Sequence, residues 1–244
     1  KAGTKLTWWL EPEDLEEEPE WVGEGEGPKR DGKGAAATDA SLPIVKIRQS
    51  SQSVGRPSRG RISNGVQLPE NPALYERLRP EEAYASSHFI NQLQLAIGRW
   101  RRDSGYSGRL VVAALSKKGG GRLSPHKSHQ SGRDADIRLP VKKGVKGSLA
   151  QNISDVDWKA TWGLVRALLE TGEMQYIFLS YDRQKYLYKA AKKAGASKEQ
   201  LDKWIQYPRP NRSNNGIVRH AAGHTSHIHV RIHCGPKESR CEKH

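Results

Sequence analysis

The chain has 244 residues, room for one domain of about 150–200 residues and a tail. It is polar and basic, with a formal net charge of +14 and a mean hydropathy of −0.80. Such charge attracts polyanions without choosing among nucleic acid, anionic lipid and anionic wall polymer. No run of roughly 18 apolar residues occurs, which excludes a membrane-spanning helix.

The chain begins KAGTKLTWWL, with Lys rather than Met and no long apolar leader, and so reads as a mature or trimmed form. Trp8 and Trp9 read as an apolar patch, packed back on the domain or facing a partner. Residues 11–26, EPEDLEEEPEWVGEGE, carry nine acidic residues and no Lys or Arg. Residues 27–60 are rich in Gly, Ser, Ala, Pro and basic residues. Neither stretch sustains an apolar period, so 1–47 is expected to be a flexible or loosely packed segment and 48–244 the folded domain. The acidic block reads as a solvated tail, the sharper reading being a cover over a basic cleft.

Within the domain, HFINQLQLAIGRWRR (88–102) has apolar residues at helical spacing and a basic end. RLVVAALS (109–116) predicts a buried strand, 117–133 a Gly-rich loop, and DADIRL (134–139) a half-buried strand by its alternation. Residues 154–172 predict a helix with Ser154 as N-cap and Gly172 as stop. A strand follows at 174–181, then two helical pieces over 182–206 broken near Gly195, then a last strand, HIHVRIH, at 227–233. Helices mixed with short strands, without a βαβ rhythm, predict an α+β fold with a small antiparallel sheet flanked by helices. Cys234 and Cys241 are the only cysteines; a short disulfide loop is the sharper reading and two free thiols the blander. A disulfide points to export, into a periplasm or beyond the cell.

Most of the nine histidines fall in two clusters. His126 and His129 precede Asp134 and Asp136; His220, His224, His227, His229 and His233 lie near the end. In a strand, residues i and i+2 share a face. His227, His229, Arg231 and His233 then line one face, and Ile228, Val230 and Ile232 the other. Likewise Asp134, Asp136 and Arg138 share a face, with Ala135, Ile137 and Leu139 turned to the core. Hydrolytic zinc sites use three His, Asp or Glu ligands and keep a fourth position for water. His129, Asp136 and His229 would supply such a set, with His227 placed as a proton acceptor at neutral pH. Spacing alone does not choose Asp134 over Asp136, or His126 over His129.

SHQSGRDADI followed far downstream by HTSHIHVRIHC resembles the penicillin-insensitive murein endopeptidases, within the wider group of lysostaphin-like, D-Ala-D-Ala-peptidase-like and hedgehog-like zinc folds. The likeness runs from about residue 53 to the C-terminus. The family pattern is a His, an Asp seven positions on, and a late His-x-His. It implies His129, Asp136 and His229 as zinc ligands, His227 as general base, and His224 as a group that stabilises the oxyanion or positions water. His126 would line the cleft or hold a second ion, and Asp134 would orient a ligand. No Asp-and-His pair after residue 140 matches a second metal site, so one Zn²⁺ per chain is expected. The substrate implied is the D-alanyl–diaminopimelyl cross-link between peptidoglycan stem peptides. A D-Ala-D-Ala carboxypeptidase and an inactive zinc-containing wall-binding module are the competing readings. The basic residues are scattered and match no RNA or DNA motif, so no specific nucleic-acid partner is expected.

Overall fold

The computed structural model describes residues 39–243; the acidic block, Trp8 and Trp9 lie outside the described residues. Residues 42–47 run along the first long helix. Gln94 and Asn91 of that helix bond both the N–H and the carbonyl of Val45 and of Ile47, at 2.8–3.0 Å.

In chain order, β1 (Gln52–Arg56) and β2 (Arg59–Ser63) form a hairpin turning through Pro57 and Ser58. Next come β3 (Val66–Gln67), β4 (Glu76–Arg77), β5 (Tyr84–Ala85), α1 (Ser87–Ser104), β6 (Val111–Val112) and β7 (Asp134–Arg138). Then follow α2 (Trp158–Leu169), β8 (Met174–Phe178), α3 (Tyr181–Lys193), α4 (Lys198–Trp204), β9 (Val218–Arg219) and β10 (His227–Ile232). The main sheet has six strands in the order β4-β6-β7-β10-β8-β9. Its four inner strands are antiparallel, as the sequence predicts; the outer pairs β4–β6 and β8–β9 are parallel. The fold is α+β.

Helix α1 starts where Ser86 Oγ accepts the Phe89 N–H, and its buried face carries Phe89, Ile90, Leu93, Ile97 and Trp100 at three- and four-residue steps. Helix α2 begins later than the sequence suggests. Ser154 lies in a separate 3-10 turn, and Asp157 is the N-cap, accepting from Ala160 N–H at 2.8 Å. The separate turn forms because the Asp155 carboxylate accepts the N–H groups of Gln151 and Asn152. The Trp100 indole N–H donates to the Ala160 carbonyl at 2.9 Å, and Gly163 sits beneath that ring. Over 109–116 only Val111–Val112 is regular strand, yet the backbone stays paired beyond it: Ala113 and Ala114 exchange bonds with Asp136.

The core face of the sheet is Ala135 and Ile137 on β7 and Ile228, Val230 and Ile232 on β10, all fully buried. Each such Ile or Val contributes about 1.5–3 kcal/mol. A one-residue slip of β10 would expose all three, so this apolar set locks the register of the opposite face. Strand β7 is not half-buried: Asp134 and Asp136 on its second face are also buried. What covers that face is the loop 117–133 and the histidines of β10.

Candidate metal centre

The pairing of β10 with β7 sets the site. His229 lies opposite Asp136, Arg231 opposite Asp134, and His227 opposite Arg138. The Gly-rich loop then returns His129 over the same two carboxylates. His129 takes a left-handed backbone, φ 65°, which is uncommon for a residue with a side chain. Three bonds hold it. Its Nδ1–H donates to the Leu115 carbonyl at 2.6 Å, its N–H to Asp134 Oδ2 at 3.3 Å, and its carbonyl accepts the Ser116 hydroxyl.

Those bonds fix tautomers. With Nδ1 protonated, the Nε2 of neutral His129 is a lone pair, 3.4 Å from Asp136 Oδ1. His229 is set the other way round: its Nε2–H donates to Asp134 Oδ1 at 2.8 Å, which leaves Nδ1 as the lone pair, also 3.4 Å from Asp136 Oδ1. Asp134 is fully buried and also accepts from Arg231 Nε at 2.6 Å. His227 Nε2 lies 3.9 Å from Asp136 Oδ1, and His126 Nδ1 3.4 Å from Asp136 Oδ2. His224 stands behind, its ring centre 4.9 Å from His227 and 5.7 Å from His229, with Nδ1–H on the Ala222 carbonyl.

The electrostatics suit a cation. Burial disfavours charge on Asp136, but His129 and His229 outweigh it and hold the carboxyl well below the usual range. Burial likewise opposes ionisation of Asp134, and Arg231 and His229 reverse it. Burial pushes His126 and His224 down, and His227 down to about 4. These three rings are therefore neutral at pH 7. His129 is the exception: burial opposes its charged form, Asp136 overcomes that, and its pKa is raised. Asp136 Oδ1 and His129 Nε2 are both buried, and neither has a hydrogen-bond partner among the described residues. Buried polar atoms left so cost about 1–3 kcal/mol each. A metal ion among these donors would satisfy both, so the residues present fit one.

Two groupings meet at this carboxylate. His126, His129 and Asp136 offer ligand atoms all within 4.8 Å of one another. His229 reaches the same Asp136 oxygen as His129, and the His129 ring lies between those of His126 and His229, at 4.3 and 4.6 Å. Two other histidines are elsewhere. His220 accepts the Tyr181 N–H at the start of α3. The pairing of β10 shifts between Arg231 and Ile232, and His233 beyond the shift has Glu173, Lys243 and Arg133 as its charged neighbours.

Of the arginines, Arg133 is buried and structural, donating to the carbonyls of Ile232 and Glu242. Arg138 donates to Ser148. Cys234 and Cys241 form a disulfide. Residues that sequence reasoning missed are Tyr176 and Phe178 on β8. Phe178 is directly opposite His229, with its ring edge-on to the imidazole at 5.4 Å. The alternation in MQYIF held that signal, since it sets Tyr176 and Phe178 on the face opposite Ile177.

Histidines converging on one buried, ionised carboxylate across an α+β sheet are the donor chemistry of a metal-binding protein. The family described as penicillin-insensitive murein endopeptidase matches residues 53–244, and the chain belongs to it. The penicillin-insensitive murein endopeptidase of Yersinia enterocolitica is 26% identical over 227 residues, covering 84% of this chain and 74% of the relative. That of Klebsiella pneumoniae is 26% identical over 236 residues, covering 85% and 77%. That of Haemophilus influenzae is 26% identical over 218 residues, covering 82% and 70%. Among the described residues no helix is long and apolar enough to cross a membrane.

Proposed function

We propose that the chain is a zinc-dependent murein endopeptidase. It acts outside the cytoplasm and hydrolyses the D-alanyl–diaminopimelyl cross-link between peptidoglycan stem peptides. The observation that carries this is the pair of imidazole lone pairs, His129 Nε2 and His229 Nδ1, each 3.4 Å from the buried oxygen Asp136 Oδ1. Family membership supplies the substrate class, and the disulfide fits an exported protein.

One Zn²⁺ would be held by His129, His229 and Asp136. His229 is preferred to His126 because Asp134 anchors its far nitrogen, and a carboxylate in that position orients a ligand histidine. His126 is partly exposed and stays at the cleft rim. The chemistry a bound zinc would supply there is polarisation of the scissile carbonyl and a pKa of water lowered to about 7. His227, neutral because of its burial, takes the proton of the attacking water and returns it to the leaving amine. His224, whose Nδ1–H is committed to the Ala222 carbonyl, has Nε2 left to position water or the developing oxyanion.

The test is digestion of purified cross-linked muropeptide dimers by metal-stripped protein, with and without added zinc, read by mass spectrometry. Zinc-dependent conversion of dimers to intact monomers is the expected result. Loss of terminal D-Ala alone would make the enzyme a carboxypeptidase. No product from a zinc-loaded protein would leave a wall-binding module.

A further inference from the structure

The site face of the sheet continues past the histidines. His229 on β10 is paired with Phe178 on β8, and Phe178 is paired with Arg219 on β9. These three side chains share one face and one rung. With strands about 4.8 Å apart, the Arg219 backbone lies about 10 Å from that of His229. Arg219 is partly exposed and makes no ion pair among the described residues. Two contacts fix it. Its Nε–H donates to the Gly216 carbonyl at 2.8 Å, and its guanidinium lies over the Tyr176 ring, 4.5 Å from the centroid. Tyr176 in turn packs on Phe178, 5.6 Å between centroids.

A guanidinium held this way has lost little freedom still to lose, and its two terminal nitrogens keep the planar fork that matches a carboxylate. Arg231, nearer the centre, is different: its Nε is committed to the buried Asp134. Arg219 is therefore a cation on this face with no acidic partner among the described residues. A floor of Phe178 and Tyr176 leads from His229 to it, suited to the apolar part of an extended peptide.

We propose that Arg219 is the anion subsite of the cleft: it binds a stem-peptide carboxylate on the β9 side of the site, beyond the floor of Phe178 and Tyr176. This rests on the endopeptidase reading. Arg219 acts as a specificity residue and takes no part in bond breaking.

The experiment compares the full chain and its Arg219→Gln and Arg219→Lys variants on two cross-linked dimers. One has free carboxylates and the other has them amidated. Kinetics are paired with calorimetric binding of the same two dimers carrying a reduced, uncleavable scissile amide. The unmodified chain is expected to favour the free-carboxylate dimer about tenfold in KM and in Kd. Arg219→Gln should abolish that preference with kcat within about twofold, and Arg219→Lys should restore part of it. Equal binding of the two dimers by the unmodified chain overturns the proposal, as does a Gln variant that weakens both equally. Failure to cleave either dimer would instead count against the endopeptidase reading, while a tenfold preference in binding would still support the subsite.

Discussion

Changing Asp134 to Asn tests whether this carboxylate positions the site or belongs to it. The side chain is fully buried and accepts from Arg231 at 2.6 Å, His229 at 2.8 Å and the His129 N–H at 3.3 Å. Asparagine keeps the shape, removes the charge, and turns an NH₂ toward at least one of these donors. Hydrogen bonds to charged groups contribute about 1.5–3 kcal/mol each, and a broken buried pair costs about 3–5 kcal/mol. The metal-free variant should lose stability on that scale. With its Nε2 anchor weakened, His229 no longer holds Nδ1 at Asp136. Loss of such an outer partner lowers metal affinity about 10–100-fold. Thermal unfolding without metal and competition with a chromophoric zinc chelator measure the two effects separately. Zinc affinity within about twofold of the parent would refute the positioning argument. A loss beyond about 10⁴-fold would make Asp134 itself a ligand. The pH dependence adds a check. Burial raises the Asp134 pKa, but Arg231 and His229 hold it well below the usual range. Its stabilisation is thus complete above the unfolded value near 3.9 and fades as pH falls through it toward the folded value. The Asn variant should therefore show a flatter stability profile between about pH 5 and 2.

Three further outcomes follow from the geometry. His227→Ala should keep zinc affinity within about threefold and lower kcat about 10²–10⁴-fold; full activity would remove His227 from the mechanism. Activity lost between pH 7 and 5 should return with excess zinc: the raised His129 pKa lets protons compete with the metal there, while His227 stays neutral to about pH 4. A loss that zinc leaves uncorrected would point to another titrating group. Replacing Cys234 and Cys241, seven residues apart, by Ser should cost about 2–3 kcal/mol by chain entropy and lower Tm by about 5–10 °C. An unchanged Tm in calorimetry would show that Arg133, on the Glu242 carbonyl, and Glu238, whose carboxylate accepts the N–H groups of Ser53 and Gly235, hold the C-terminal segment unaided.

The fold was legible where one periodicity dominated. Helix α1 and strand β10 each have an apolar set that can be buried in only one way, and both formed where the pattern put them. Boundaries were legible only where local chemistry was unambiguous. Ser154 and Asp157 are both acceptable N-caps, and the choice went to Asp157 because Asp155 closes its own turn against Gln151 and Asn152. Pairings made by two-residue strands were invisible. Strands β4 and β9 have no period to read, and their parallel register depends on partners 35 and 41 residues away in sequence.

The site divides in the same way. Alternation put Asp134 and Asp136 on one face of β7 and His227 and His229 on one face of β10, and the two strands are neighbours with His229 opposite Asp136. What alternation could not supply is which nitrogen of each ring is free. That depends on the Leu115 carbonyl for His129 and on Asp134 for His229, contacts 14 and 95 residues apart in sequence. The same limit explains why His126 competed with His129. Both lie in one loop, and only the left-handed backbone at His129 turns its ring inward until it is fully buried, leaving His126 part-exposed on top of it. A loop imposes no period, so inward and outward histidines look alike until the bonds that hold the loop are known. The distinction then has a chemical consequence. The buried ring has one nitrogen committed and one aimed at Asp136, whereas among the described residues His126 has no comparable anchor to fix its tautomer. On the proposed reading, preorganised affinity for a metal therefore rests with His129 and His229.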